Sequence, residues 1–367
     1  MKGNNSDLFH AKTTGFILPT NNWSTVWVAL VSMYLIIIAV LSIVGNISTI
    51  VVLTKMKKHK KMVMNNQVLL SLAVADFLVG VLVIPCTVDV VIYGQWRAGT
   101  IMGYINAAAN FCFCISSIVH LSLLSIDRYI SVSLPLRYQT IMSSRRTAIF
   151  CLISWIYSSS WAIIPGLTDY TSFECFIPYI GECKTEHWAS NTESSVFTVS
   201  VIFFTFGISA LTLCFIYIRI FQIIRIQKKK LKCATNLGRL STSHYVTDHM
   251  TPSQVEKQRR NNASIKKQSL RSQKGILIIV LIICLYLIAW TPFCAFLFVE
   301  FIMRTKMVNS WGIVTMFIGF GNSACNPVIY CMKYRTFRLT LWKMLMKGRR
   351  QLISPSTDTQ GRRSESH

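Results

Sequence analysis

Seven long apolar runs follow one another along the chain, separated by polar segments. They lie roughly at 26–54, 66–92, 99–132, 147–168, 195–226, 273–303 and 308–332. A helix needs about 20 apolar residues to cross the hydrocarbon of a bilayer, so each run predicts one membrane-crossing helix. The pattern therefore predicts an all-α membrane protein, a bundle of seven transmembrane helices with a short amphipathic helix after the seventh.

The remaining segments divide the chain around this bundle. The predicted divisions are an extracellular tail at 1–25, the bundle at 26–332, a flexible third inner loop at about 227–272, an amphipathic membrane-surface helix at 333–348 and a disordered cytoplasmic tail at 349–367. The third inner loop is polar and basic and lacks the apolar content to fold alone. In the segment after span seven, apolar and basic residues alternate as in helices that lie on a membrane surface.

Charge placement orients the bundle. The chain carries 38 Lys and Arg against 14 Asp and Glu, a net charge of +24. With the N-terminus outside, the outer segments hold only six of these basic residues, namely Lys2, Lys12, Arg97, Lys184, Arg304 and Lys306. Basic residues concentrate on the cytoplasmic side of membrane proteins, so we expect the N-terminus outside, the C-terminus in the cytoplasm and a place in the plasma membrane.

Composition narrows the function further. Only 14% of residues are charged, against about 25% in soluble domains. The basic excess lies in loops next to the membrane, which argues against nucleic acid as a partner. No phosphate-binding loop, nucleophile–base pair or cluster with metal-ligand spacing is recognisable, so we expect neither an enzyme nor a resident cofactor.

Six short motifs lie in six of the seven runs. They are Gly45-Asn46, Leu72-Ala73-Val74-Ala75-Asp76, Asp127-Arg128-Tyr129, Trp155, Trp290-Thr291-Pro292 and Asn326-Pro327-Val328-Ile329-Tyr330. In this order the set resembles the rhodopsin-like (class A) G-protein-coupled receptors over nearly the whole chain. The resemblance implies a receptor that passes an extracellular signal to a heterotrimeric G protein.

The resemblance also implies how the inner half works. Arg128 would be held by Asp127 at rest and would turn to the G protein on activation. The residues implied in coupling and activation are Asp127, Arg128, Tyr129, Leu136, Tyr217, Trp290, Pro292, Asn326, Pro327 and Tyr330. Among these, Leu136 matches the apolar residue that enters the G protein, and the two prolines leave kinks that can hinge.

A sodium ion is the one metal that the resemblance implies. In the family it acts as an allosteric modulator that favours the inactive state. The implied ligands are Asp76, Ser117, Asn322, Ser323 and Asn326. Oxygen-bearing side chains of this kind suit a hard cation.

Within the family, the chain looks most like the biogenic-amine and trace-amine-type receptors. These hold the ligand's ammonium on a span-three aspartate, but Asn110 occupies that position here. The candidate ligand-binding residues are Asn110, Phe113, Trp290, Phe293, Cys294 and Phe320, with Asp89 and Glu300 as substitute acids. An asparagine cannot neutralise an ammonium, so we expect simple monoamines to bind poorly.

The outer surface shows a further departure from the family. The usual cysteine at the top of span three is replaced by Gly103, and we expect Cys175 and Cys183 to form a disulfide within the second outer loop. The predicted glycosylation sites are Asn4 and Asn22.

The leading hypothesis is a G-protein-coupled receptor for an extracellular small molecule, with a receptor kinase and arrestin as further partners at the C-terminal tail. The alternatives are a receptor for a non-amine ligand, such as a lipid or a peptide, and a constitutively active receptor. A light sensor would need a lysine in span seven, and residues 308–332 contain none. A transporter would leave Asp127-Arg128-Tyr129 unexplained.

Overall fold

The structure is a computed structural model, and it describes only part of the chain. The described residues are 23–58, 67–94, 96–134, 136–167, 192–244, 281, 284–299, 301–303, 310–333, 337–343 and 346. All secondary structure within these ranges is helical, which confirms the predicted fold class.

Seven long helices correspond to the seven predicted spans. Spans one, three, four, six and seven are Thr25–Lys58, Gly99–Ser133, Ser144–Leu167, Cys284–Met303 and Ser310–Lys333. Spans two and five each contain a π-helical turn. Span two comprises Gln67–Leu78, the π turn Val79–Val83 and Ile84–Tyr93, and span five comprises Thr192–Val201, the π turn Ile202–Gly207 and Ile208–His244. A helical turn at Tyr138–Ile141 lies between spans three and four.

Six of the described helices are long and apolar enough to cross a membrane. Span four, Ser144–Leu167, carries several serines within its apolar run. Two of these serines satisfy their hydroxyls inside the helix, because Ser154 donates to the Phe150 carbonyl and Ser158 donates to the Ser154 carbonyl, both at 2.8 Å. A polar side chain bonded in this way is tolerated in lipid.

Span three is the centre of the bundle, in contact with spans two, four and five, while span one packs on spans two and seven. The last contact requires a glycine. A Cβ atom at Gly45 would lie 2.8 Å from the Pro327 ring, so the missing side chain lets spans one and seven approach each other.

The predicted third inner loop is wrong in its first part. The span-five helix continues to His244, so residues 227–244 are helical and not loop. The segment contains four Lys, one Arg and three Leu, and no proline. Such residues favour helix, and propensity therefore outweighs low apolar content here.

The π turn in span two has an identifiable cause. Pro85 lies just after it and cannot donate a backbone hydrogen bond. Asn106 of span three satisfies the exposed backbone by donating to the Leu82 carbonyl at 2.9 Å, with the Val83 carbonyl 3.4 Å away. The break in one helix is thus repaired by a side chain of its neighbour.

Part of the predicted amphipathic helix after span seven is described. Residues 337–343 are helical, with Phe337 buried and Trp342 exposed. Arg338 donates to the carbonyls of Cys331 and Met332, at 3.1 and 2.9 Å. These bonds satisfy carbonyls left open at the end of span seven, and they fix the direction in which the chain leaves the bundle.

Candidate functional site

A cavity lies in the outer half of the bundle, between spans three, five, six and seven. Its walls are formed by Asn110, Phe111, Cys114, Ile115, Val201, Phe206, Trp290, Phe293 and Met316. Three of these, Asn110, Trp290 and Phe293, are among the predicted ligand-binding residues. The wall is aromatic and apolar apart from one amide and two sulfur atoms, and no charged side chain belongs to it among the described residues.

Asn110 is the polar centre of the cavity. Its Oδ1 atom accepts a hydrogen bond from the Cys114 thiol at 3.2 Å, and its Nδ2 atom donates to the Met316 sulfur at 3.9 Å. A thioether is a weak acceptor. The amide oxygen therefore accepts one weak hydrogen bond from within the protein, and the amide N–H groups have only a weak acceptor.

Trp290 supplies a second donor. Its side chain is 5% exposed, and its ring packs against Phe206 and Phe293 at centroid distances of 5.3 and 6.2 Å. The indole Nε1 atom is buried without a hydrogen-bond partner in the described part of the chain. Gly319 makes room for this ring, since a Cβ there would lie 2.7 Å from it.

Phe113, which was expected to line the pocket, lies outside this cavity wall. Phe113 faces span four and packs edge-on against Trp155 at 6.2 Å. Residues 110, 111, 114 and 115 share one side of an α-helix, and residue 113 points about 130° away from the middle of that side. Counted from Asn110, helical spacing places Phe113 at i+3 and Cys114 at i+4, so spacing alone does not exclude Phe113. The rotation of span three within the bundle turns Phe113 away from the cavity.

Two other predicted residues lie outside the described cavity wall. Phe320 is 1% exposed and stacks on Phe317 at 6.2 Å, and Cys294 is only half-buried. The sequence also gave no signal for Phe206 and Met316, because their positions depend on how spans five and seven are rotated in the bundle.

Asp89 is already paired. Its carboxylate accepts from Arg97 at 2.7 Å, and the Arg97 guanidinium lies 3.3 Å over the Tyr93 ring. The hydrogen bond from Arg97 to Asp89 raises the pKa of the arginine above its ordinary value. Asp89 is thus a partly exposed acid at the rim, and its carboxylate is paired with Arg97 and not free for a ligand.

Asp76 lies at the centre of the bundle and is fully buried. Its two carboxylate oxygens accept hydrogen bonds from Ser117 and Asn326, both at 2.7 Å. Asn46 links this cluster to span one by donating to the Ser323 carbonyl at 3.1 Å. The structure therefore brings the predicted residues of spans two, three and seven to one place.

The donor set around Asp76 is compatible with a sodium ion. Ser117, Ser323 and Asn326 all approach the carboxylate. The Asn322 Nδ2 and Asn46 Oδ1 atoms are buried without partners among the described residues. Oxygen ligands and an anion suit a hard cation, whereas the Asn322 Nδ2 atom is a hydrogen-bond donor and could not bind one.

The inner end of span three holds a buried ion pair. The Arg128 Nη2 atom lies 3.5 Å from the Asp127 Oδ2 atom, and these side chains are 8% and 0% exposed. Tyr138, in the helical turn after span three, donates to the other carboxylate oxygen of Asp127 at 2.8 Å. Sequence reasoning did not include Tyr138, although its place eleven residues after Asp127 sets it in the second inner loop.

Other predicted coupling residues differ in exposure. Leu136 is 98% exposed, which suits an apolar residue that inserts into a partner. The Tyr217 ring stacks on Phe221 of its own helix at 6.2 Å, and Tyr330 is 3% exposed. Pro327 lies inside the span-seven helix. The role of these tyrosines in activation stays a prediction.

Several predicted features fall outside the described residues. They are Glu300, the Cys175–Cys183 disulfide, the glycosylation sites Asn4 and Asn22, and the tail at 349–367.

Comparison with known proteins places these features in context. The family model "7 transmembrane receptor (rhodopsin family)" matches residues 45–330. The octopamine receptor beta-1R of Drosophila melanogaster is 28% identical over 83% of this chain and 59% of its own length. Rat trace amine-associated receptor 6 is 27% identical over 89% of this chain and 87% of its own. The histamine H2 receptor of the dog is 24% identical over 87% and 80%.

Proposed function

Because this chain belongs to the rhodopsin family of seven-transmembrane receptors, we propose that it answers an extracellular small molecule that binds in the outer cavity through hydrogen-bond acceptors. The protein is an amine-receptor-like, multi-pass G-protein-coupled receptor. Its similarity to receptors named for octopamine, histamine and trace amines makes an amine the first ligand to consider. The chemistry of the cavity favours a different one.

The observation that carries the proposal is the state of Asn110. A buried ammonium needs an anion or several good acceptors. In the cavity, the Asn110 oxygen is engaged by Cys114, and the remaining polar contact is to a sulfur. An ammonium entering here would lose its hydration without adequate compensation.

The same wall has donors to offer. The Asn110 amide N–H groups have only a weak acceptor, and the Trp290 indole N–H has none among the described residues. A carbonyl or ether oxygen would satisfy them, at about 0.5–1.5 kcal/mol for each neutral hydrogen bond. With no cation in the described wall, a neutral ligand fits better than a carboxylate. The aromatic rings would hold its apolar body.

Neither Asp89 nor Asp76 is available in place of the missing aspartate. Asp89 is bonded to Arg97, and Asp76 accepts from Ser117 and Asn326 below the cavity. Engaging an ammonium with either acid would break these contacts.

The inner face supplies the remaining partners of the proposal. The charge bias supports an outer N-terminus and a cytoplasmic C-terminus at the plasma membrane. Exposed Leu136 beside the Asp127–Arg128 pair suits contact with a heterotrimeric G protein. The Ser and Thr residues of 354–366 would be the sites for a receptor kinase and arrestin.

An isosteric pair of probes tests the ligand chemistry. We expect 4-phenylbutan-2-one to raise the melting temperature of the purified receptor more than 4-phenylbutan-2-amine does. Asn110→Asp should reverse the preference, with amine affinity rising about tenfold to a hundredfold, because a charged hydrogen bond contributes about 1.5–3 kcal/mol.

Asp89→Asn is the matched control, since it removes an acid at the rim and should leave the preference unchanged. A wild-type receptor that binds the amine more tightly than the ketone would contradict the proposal. Loss of binding in Asp89→Asn would instead identify the rim acid as the counter-ion.

A further inference from the structure

The π turn in span five has no proline to explain it. The described span-five helix, from Thr192 to His244, contains no proline. A π turn shifts the backbone hydrogen-bond register and leaves carbonyl groups that need other donors. The turn must therefore be held by something other than backbone chemistry.

Two tyrosines of neighbouring spans supply the donors. The Tyr157 hydroxyl of span four donates to the Phe204 carbonyl at 2.9 Å. The Tyr286 hydroxyl of span six donates to the Phe206 carbonyl at 3.3 Å. The Tyr286 side chain is 2% exposed, so its hydroxyl has no access to water in place of this carbonyl.

Span six contacts Phe206 at two points. Tyr286 holds its carbonyl, and Trp290 packs on its ring with a centroid distance of 5.3 Å. Residues four apart lie on the same side of a helix, so two residues on one side of span six contact a single residue of span five. Phe206 and Trp290 also line the outer cavity, whereas Tyr286 lies one helical turn closer to the cytoplasm.

We infer that the Tyr286 hydroxyl is a positioning group that fastens span six to the π turn of span five and so holds the receptor at rest. A ligand that moves Phe206 or Trp290 changes the distance from the Tyr286 oxygen to the Phe206 carbonyl. The bond thereby passes the state of the cavity to the inner part of span six.

The direction of the effect follows from the inner end of the same structure. Arg128 is paired with Asp127, the arrangement expected of the resting receptor, and the Tyr286–Phe206 bond exists together with it. A contact present in one state stabilises that state relative to the other. Removing the hydroxyl should therefore shift the population toward the active state.

The test is Tyr286→Phe, which removes one oxygen atom and keeps the ring. Ligand-free nucleotide exchange is measured on heterotrimers of the Gs, Gi, Gq and G12 classes, using vesicles with equal amounts of receptor. We expect basal exchange to rise about twofold to twelvefold, the population change that corresponds to one neutral hydrogen bond.

Tyr157→Phe is the matched control. It removes the other hydroxyl bonded to the π turn, but from span four. We expect both variants to lower the melting temperature and only Tyr286→Phe to raise basal exchange. Basal exchange equal to or below that of wild type in Tyr286→Phe, or an equal rise in both variants, overturns the inference. Because no ligand is used, the outcome is independent of the ligand proposed for the cavity.

Discussion

The outer cavity and the inner end of span three treat charge in opposite ways. At the inner end, Arg128 and Asp127 are buried together, and Tyr138 adds a hydrogen bond to the acid. In the cavity no charged side chain is described, and the polar centre is the amide of Asn110. The two regions lie on the same helix, Gly99–Ser133.

This difference separates the part of the receptor that switches between states from the part that selects the ligand. A buried ion pair is costly to assemble and strongly destabilised when one partner is removed, so it acts as a switch with two definite arrangements. A neutral cavity places few constraints on its occupant beyond shape and hydrogen-bond donors. The inner end is therefore the part that identifies the chain as a receptor of this family, and the outer cavity is the part that determines which ligand binds.

The largest effect should come from breaking the inner end. We expect Arg128→Ala to reduce G-protein nucleotide exchange to the rate without receptor, since the arginine is the group proposed to reach the G protein. The measurement is exchange in vesicles at equal receptor amount, without ligand and with 4-phenylbutan-2-one. Ketone binding should persist, because Arg128 lies far from the cavity along span three.

Arg145→Ala removes an exposed inner arginine at the start of span four, and it should change exchange much less. Normal exchange in Arg128→Ala would refute the assignment of the coupling residue. Arg128→Lys keeps the charge but not the planar guanidinium, and a partial recovery would show that charge contributes.

Much of the bundle below the cavity could be predicted from the sequence. The resemblance to the receptor family grouped Asp76, Asn326 and Ser117, and the structure joins them by hydrogen bonds of 2.7 Å. Seven apolar runs likewise predicted seven helices, since lipid demands long helices whatever their partners are.

The cavity was harder to predict. Phe113 was chosen for its aromatic ring, yet the rotation of span three turns it toward Trp155. Phe206 enters the cavity wall from the π turn of span five, and that turn depends on two tyrosines of other spans. Such positions follow from packing between helices, which spacing along one helix does not encode.

A smaller effect should follow from loosening the ion pair without removing it. Tyr138→Phe deletes the hydroxyl that donates to Asp127 at 2.8 Å. A hydrogen bond to a charged group contributes about 1.5–3 kcal/mol, so the hold on Arg128 in the resting state should weaken. We expect basal exchange to rise about tenfold, with ketone binding little changed.

Tyr104→Phe changes a half-exposed tyrosine at the outer end of the same helix and serves as the control. If Tyr138→Phe leaves basal exchange at the wild-type level, the hydroxyl has only a structural role and does not stabilise the resting state. The contrast between the two regions would then rest on the Arg128–Asp127 pair without help from the second inner loop.

The smallest effect concerns the acid between the two regions. Asp76 accepts hydrogen bonds from spans three and seven and has no cation beside it among the described residues. If sodium binds this carboxylate in the resting state only, it stabilises that state by mass action, about 1.4 kcal/mol when its concentration is ten times the dissociation constant. We expect sodium chloride to raise the melting temperature by a few degrees over N-methylglucamine chloride at equal ionic strength.

Asp76→Asn should abolish the difference, because an amide cannot neutralise the ion, whereas Asp89→Asn at the rim should preserve it. A wild-type receptor that melts at the same temperature in both salts would mean that Asp76 is held by Ser117 and Asn326 alone, as a polar link between the cavity and the inner end.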